Sequence, residues 1–300
     1  MKLGRRDFLR TAAAGTGGLL FAEPLRARDA APRTWDPFEM VPLGKTRVKV
    51  SRVGFGTGMR GGNRQSNQTR LGKEVFEKIL RESYDRGVRF FDMADMYGTH
   101  SFVADALSKY PRESYALQTK IWFRPGALPE KERPDADVCV GRFLKELKTD
   151  YIDMVLIHCQ TDKDWTDKMR KQMDILAKLK EKGVIRAHGA SIHSFAALET
   201  AAADPWVDTL NVRINAYGVN MDDKDVNKVA EVVKKAHAAG KGIVAMKLIG
   251  EGKFRDDDEK RNESAKFVLN TKAADTLAVG FEKIEEVDDY VARVKKTARS

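Results

Sequence analysis

Lys73-Glu-Val-Phe-Glu-Lys-Ile-Leu-Arg-Glu-Ser-Tyr-Asp-Arg-Gly-Val-Arg-Phe-Phe-Asp92 holds two different periods in one short stretch. Val75, Ile79, Leu80 and Tyr84 recur at the steps of an amphipathic helix, and Val88-Arg-Phe-Phe-Asp92 is a short apolar run of strand type. A helix with one apolar stripe needs a sheet to cover, and the same alternation continues on both sides. Strand-like runs stand at Val53–Phe55, Val88–Asp92, Tyr115–Thr119, Ile152–Ile157, Val184–Ala187, Thr209–Arg213, Gly242–Met246 and Thr276–Val279. Each is followed by a helix candidate, the last with its stripe at Ile284, Val287, Val291 and Val294. Parallel neighbours require a crossover, and helices then bury both faces of the sheet. From Val53 to Thr276 seven steps average about 32 residues, the size of a βαβ unit. Eight such units match the roughly 250 residues of a closed barrel, so the expected fold is α/β, a (β/α)8 TIM barrel.

Upstream, residues 38 to 50 (Phe-Glu-Met-Val-Pro-Leu-Gly-Lys-Thr-Arg-Val-Lys-Val) read as an N-terminal β-hairpin with its turn near Gly44-Lys45. With no Pro/Gly/Ser-rich linker after residue 35, residues 38–300 read as one barrel domain, joined by a short segment, 31–37, to a leader over 1–30.

The composition of the 300 residues, 42% apolar and 33% charged, is that of a globular chain rather than a disordered or fibrous one. Two cysteines, Cys139 and Cys159, form no C-x-x-C pair and exclude a disulfide scaffold; two buried thiols are expected. The net charge of +10 invites a nucleic-acid reading. Residues 1–30, however, carry six bases and three acids, and the remaining charge alternates with acids along helices, as in Lys168-Met-Arg-Lys-Gln-Met-Asp174. No nucleic-acid partner is expected. Thr11–Ala22 is too short and too polar to span a bilayer, so no mature membrane span is expected either.

Gly4-Arg5-Arg6-Asp7-Phe8-Leu9-Arg10 resembles the twin-arginine (Tat) export signal, with Gly4 where Ser or Thr is common. A mild apolar segment follows, and small residues at Ala27 and Ala30 offer cleavage sites. The resemblance implies passage through the Tat translocase, already folded, to the periplasm or the exterior.

Two motifs are decoys. Gly56-Thr-Gly58-Met-Arg-Gly61 fits G-x-G-x-x-G, but polar Asn63-Arg-Gln-Ser-Asn-Gln-Thr69 follows it and helical periodicity starts only near Lys73, so no helix N-terminus meets a pyrophosphate there. The histidines at 100, 158, 188, 193 and 237 form no H-x-x-x-H or H-E-x-x-H pair, and no metal site is expected.

In a (β/α)8 barrel the C-terminal strand ends form the site. Three consecutive ends carry polar groups: Asp92 with Tyr97 five residues on, Lys120, and His158. An ammonium near a phenol favours its ionised form, a carboxylate holds that ammonium in place, and an imidazole orients a carbonyl oxygen. The set suits proton donation to an oxygen on which charge develops.

From Pro42-Leu-Gly-Lys45 and Val50-Ser-Arg-Val-Gly-Phe-Gly56, through Phe91-Asp-Met-Ala-Asp-Met-Tyr-Gly98, to Gly189-Ala-Ser191, the chain resembles the aldo/keto reductases. The resemblance implies the catalytic tetrad Asp92, Tyr97, Lys120 and His158, and NAD(P)H-dependent reduction of an aldehyde, ketone or sugar. It carries cofactor binding onto Ser191, Asn211, Asn215, Lys247, Gly280, Glu282, Glu286 and Asp289, with departures. The family's Asn beside Ser191 is Ile192 here, and the Arg that clamps a 2′-phosphate is replaced by Glu282. An acid suits ribose hydroxyls, so NAD is favoured over NADP, although Lys247, Lys253, Arg255 and Lys283 offer phosphate contacts. Trp122 and Phe123 are expected to wall the substrate mouth, with Trp165 a further candidate. Export implies a cofactor loaded beforehand and tightly retained. Two other classes compete: an exported nucleotide-retaining redox-sensing or assembly subunit with little turnover, which the altered cofactor loop favours, and a cofactor-free solute-binding barrel, which the tetrad opposes.

Overall fold

A computed structural model describes residues 33–299; the leader reading on residues 1–30 lies outside them. The hairpin forms as expected from β1 (Met40–Pro42) and β2 (Lys49–Ser51), antiparallel, with Val41 opposite Val50. Eight parallel strands then close on themselves: β3 (Val53–Gly56), β4 (Phe90–Asp92), β5 (Ala116–Ile121), β6 (Ile152–Gln160), β7 (Ile185–Ile192), β8 (Thr209–Arg213), β9 (Gly242–Met246) and β10 (Thr276–Gly280), with β10 pairing back onto β3. The fold is the (β/α)8 barrel. Its strands are buried along nearly their whole length because the parallel sheet is covered on both faces.

The surrounding helices are α1 (Asn67–Arg70), α2 (Lys73–Arg86), α3 (His100–Leu107), α4 (Ala136–Leu147), α5 (Trp165–Lys168), α6 (Arg170–Glu181), α7 (Phe195–Ala203), α8 (Val226–Ala238), α9 (Asp258–Asn270) and α10 (Ile284–Lys296). Side-chain caps fix where several begin. Ser194 accepts from the N–H of Ala197, Asp225 from those of Asn227 and Lys228, and Asp257 from that of Lys260. Gly87, at φ 116°, ends α2 in the left-handed conformation that a Cβ would strain. In α2 the buried stripe is Phe76, Ile79, Leu80, Ser83 and Tyr84, while Val75 points to solvent, a rotation of one position from the sequence reading.

Thr34 bridges to Ala298 and Trp35 is 4% exposed, its ring under the guanidinium of Arg52. The described part of the segment read as a connector is therefore packed onto the barrel. No helix among the described residues is long and apolar enough to cross a membrane.

Candidate active site

The C-terminal strand ends gather the four residues that the sequence singles out. Asp92 is the last residue of β4, Lys120 lies near the end of β5, His158 near the end of β6, and Tyr97 closes a single 3-10 turn after β4. Lys120, 1% exposed, donates from Nζ to Asp92 Oδ1 at 2.5 Å and to the Met93 carbonyl at 2.8 Å. Gln118, two residues earlier on the same strand, donates to the same carboxylate oxygen at 2.5 Å. Sequence reasoning missed Gln118; its position two residues before Lys120, on the same strand face, was the available signal.

Tyr97 Oη lies 3.4 Å from His158 Nε2, and the two rings meet edge to face. The Lys120 ammonium stands 5.2 Å from the centre of the Tyr97 ring, over its face, and its hydrogen bonds go elsewhere. This corrects the expectation of an acidified phenol. Burial, and then the negative charge of Asp92, push the Tyr97 hydroxyl above its ordinary range. Burial also lowers Lys120, against the pull of Asp92, and holds His158 well below its usual value with help from Lys120. The imidazole is thus neutral at pH 7, and its Nδ1 has no partner among the described residues. A protonated phenol and a neutral imidazole with their polar atoms 3.4 Å apart form a pair that one carbonyl oxygen could address.

The glycines of the decoy motif have a structural task. A Cβ on Gly58 or Gly61 would strike the Tyr97 ring, so the loop after β3 is the bed on which that ring lies. A cleft runs outward from Asp92 and Tyr97 between Gly58, Arg60, Lys247, Arg255 and Gly280.

The cofactor candidates divide. Lys247 and Gly280 line that cleft, with Lys247 paired to Glu251 at 2.6 Å. Glu282 accepts from Asn67 at 2.5 Å and pairs with Arg255 at 2.8 Å; though burial opposes it, these contacts hold its carboxyl below the usual range. Glu286 accepts from the Glu282 N–H at 2.7 Å. Ser191 is buried and its hydroxyl accepts from the Cys159 N–H at 3.0 Å. Across the register from Ser191, Asn211 is completely buried with neither Oδ1 nor Nδ2 bonded to any described residue. An amide left bare on both sides matches a group that presents both a donor and an acceptor, as a carboxamide does. Asn215 is different: its amide braces its own loop, donating to the carbonyls of Val219 and Lys247 and accepting from Tyr217 and Val219. Asp289 is held by Arg293 and Arg261 in a clamp between α9 and α10 and does not line the cleft.

Of the expected mouth residues, Trp122 meets His158 edge on at 5.4 Å and donates from Nε1 to the Gly126 carbonyl. Phe123 is half-buried against the main core, and Trp165 is wholly buried in it, which removes Trp165 from the mouth. His193, which sequence reasoning left unused, stands 6.4 Å from His158 and is driven down to about 3 by burial and by Arg213, Lys247, Lys120 and Arg124. Cys139 and Cys159 are free thiols, the first buried and the second half-buried.

Residues 52–298 match the model of the Aldo/keto reductase family. Over 171 residues the chain is 30% identical to the NADH-specific methylglyoxal reductase of Escherichia coli (strain K12), a match covering 50% of this chain and 51% of that protein. Over 245 residues it is 27% identical to aldo-keto reductase YhdN of Bacillus subtilis (strain 168), covering 76% and 70%. Among solved structures, the aldo-keto reductase AKR11C1 of Bacillus halodurans in its holo form superposes with a TM-score of 0.68 at 20% identity, covering 88% and 93%. A Klebsiella pneumoniae aldo/keto reductase in complex with NADP and acetate superposes with 0.61 at 18%, covering 86% and 90%.

Proposed function

The chain belongs to the Aldo/keto reductase family, and from that premise we propose that it interconverts a carbonyl and an alcohol with NAD(P)(H), Tyr97 serving as the acid that protonates the carbonyl oxygen. The observation that carries this reading is the buried Asp92–Lys120 pair beside a protonated Tyr97 whose hydroxyl meets a neutral His158. When bound, the reduced nicotinamide supplies the hydride for the carbonyl carbon. Tyr97 gives its proton to the oxygen as charge develops there, and His158 Nε2 orients that oxygen by hydrogen bonding. Lys120 and Asp92 keep a fixed dipole next to the phenol. Asn211 and Ser191 are the residues suited to the carboxamide, and Arg60, Lys247 and Arg255 to phosphates.

Glu282 already occupies Arg255, so a 2′-phosphate would compete with a carboxylate for that guanidinium, whereas ribose hydroxyls would not. This favours NAD, as does the NADH-specific name of the E. coli relative; the Klebsiella complex holds NADP. Methylglyoxal, named for the E. coli relative, is a first assay substrate.

Replacement Tyr97→Phe tests the acid. Turnover of a reducible aldehyde should fall by roughly 10² to 10⁴ while nucleotide binding, followed by fluorescence titration, persists. Undiminished turnover would refute the assignment. For the leader, we propose Tat-dependent export to the periplasm or beyond with the cofactor retained. Mass spectrometry of the denatured mature protein should then find a nucleotide near one per chain, and an empty site after gentle purification would count against retention. Steady turnover would also separate the enzyme from a redox-sensing subunit.

A further inference from the structure

Resting on the carbonyl-reducing reading, we infer that the natural substrate carries an anionic group, a carboxylate or a phosphate, beside its carbonyl, and that Arg124 at the barrel mouth receives it. Arg124 follows Trp122 by two residues in the loop after β5. Its Nη1 donates to the Cys159 carbonyl at 2.8 Å and lies 3.6 Å from Cys159 Sγ. Cys159 is the residue after His158, and Trp122 touches the His158 ring, so the guanidinium is held at the chain position next to the imidazole that meets Tyr97.

The charges around this rim do not balance. Four cations bear on the half-buried ring of His193: Arg213, Lys247, Lys120 and Arg124. Three of them have a carboxylate: Arg213 has Asp222 at 2.6 Å, Lys247 has Glu251 at 2.6 Å and Lys120 has Asp92 at 2.5 Å. Arg124 has no carboxylate within 4.0 Å among the described residues, and its Nε and Nη2 make no hydrogen bond to them. The acid that feels its charge, Asp162, is already paired with Lys168 at 2.9 Å. A half-buried guanidinium fixed at one nitrogen, with its other edge open, presents the planar fork that a carboxylate or phosphate fills with two bonds. A neutral sugar or alkyl aldehyde gives that fork nothing to hold.

The test uses the mature protein with NADH or NADPH and paired substrates that differ only in charge: 4-carboxybenzaldehyde against benzaldehyde, and glyceraldehyde 3-phosphate against glyceraldehyde. The wild type should favour a charged member by about 10- to 100-fold in kcat/KM, the range of a charge-assisted hydrogen bond. The pair with the larger ratio tells carboxylate from phosphate. Arg124→Gln should erase the preference, chiefly through KM, and leave the uncharged substrates unchanged, while Arg124→Lys should restore part of it. Equal kcat/KM for both members of each pair in the wild type would overturn the inference and leave the reductase reading intact. So would an equal loss on charged and uncharged substrates in Arg124→Gln, which would make the residue a brace for Cys159. No turnover of any of the four with nucleotide bound would defeat both readings together.

Discussion

As the proposed acid, Tyr97 has to hold its proton until a carbonyl oxygen takes it. A free phenol, with a pKa of about 10, lies well below water at about 15.7, so it remains the stronger acid beside a forming alkoxide even when burial raises it. The upward push keeps Tyr97 protonated without taking it below water as an acid, so what the site must supply is position. Among the described residues the Tyr97 side chain makes no hydrogen bond except the 3.4 Å approach to His158, and its ring is located by packing on Gly58 and Gly61. Gly58→Ala places a methyl group where that ring lies, and the ring is the part free to move. We expect kcat to fall by about 10²-fold, the cost of roughly 1 Å of misplacement at a reacting group, with the melting temperature close to wild type. Wild-type kcat in the alanine variant would mean that the glycines do not set the ring's place.

At the scale of elements, the strand–helix alternation is legible because it rests on composition that packing cannot reassign. β8 and β9 have the bounds read from the apolar runs, since each is a five-residue strand whose first four residues are buried without a break. β6 runs three residues further than its apolar core, through His158, Cys159 and Gln160, because Gln160 pairs with Ile192 past an irregularity in the ladder. Polar residues at a strand end look like loop in sequence and are the site in space. The positions of Asp92, Lys120 and His158 were legible for the same reason, as each terminates an apolar run, while Tyr97 stands in the turn five residues after Asp92. The cofactor side was not, since an Asn or Asp in sequence does not disclose which partner will take it. Asn215 bonds its own loop and Asp289 two arginines, whereas the Asn211 amide finds no partner among the described residues. The protonation of Tyr97 was hidden too, because it turns on whether the Lys120 ammonium points at the hydroxyl or at the ring face.

Across the described residues, the candidate site and the hairpin-closed layer occupy opposite ends of the barrel. Polar strand ends make the upper site, and the lower interior is closed by the hairpin. Val41, Leu43, Val48 and Val50 pack there against Phe90, Ala116, Met154, Ala187, Val244 and Ala278, one from each of six barrel strands. Gly44 turns the hairpin at φ 53° and approaches the backbone at Gly242 so closely that no side chain fits, and its N–H donates to Asp275 at 3.2 Å. Leu43 is completely buried under this turn, enclosed by the hairpin and the ends of the barrel strands. Leu43→Ala removes three buried carbons from a place where closed-barrel geometry limits collapse. The expected loss is about 2–5 kcal/mol of stability, read as a lower urea midpoint at unchanged slope. Because no residue of the tetrad touches this layer, kcat on an aldehyde should remain at the wild-type value below the new midpoint. A fall in kcat matching the loss of stability would show that the two ends are coupled through the strands, and that the hairpin serves the site as well as the fold.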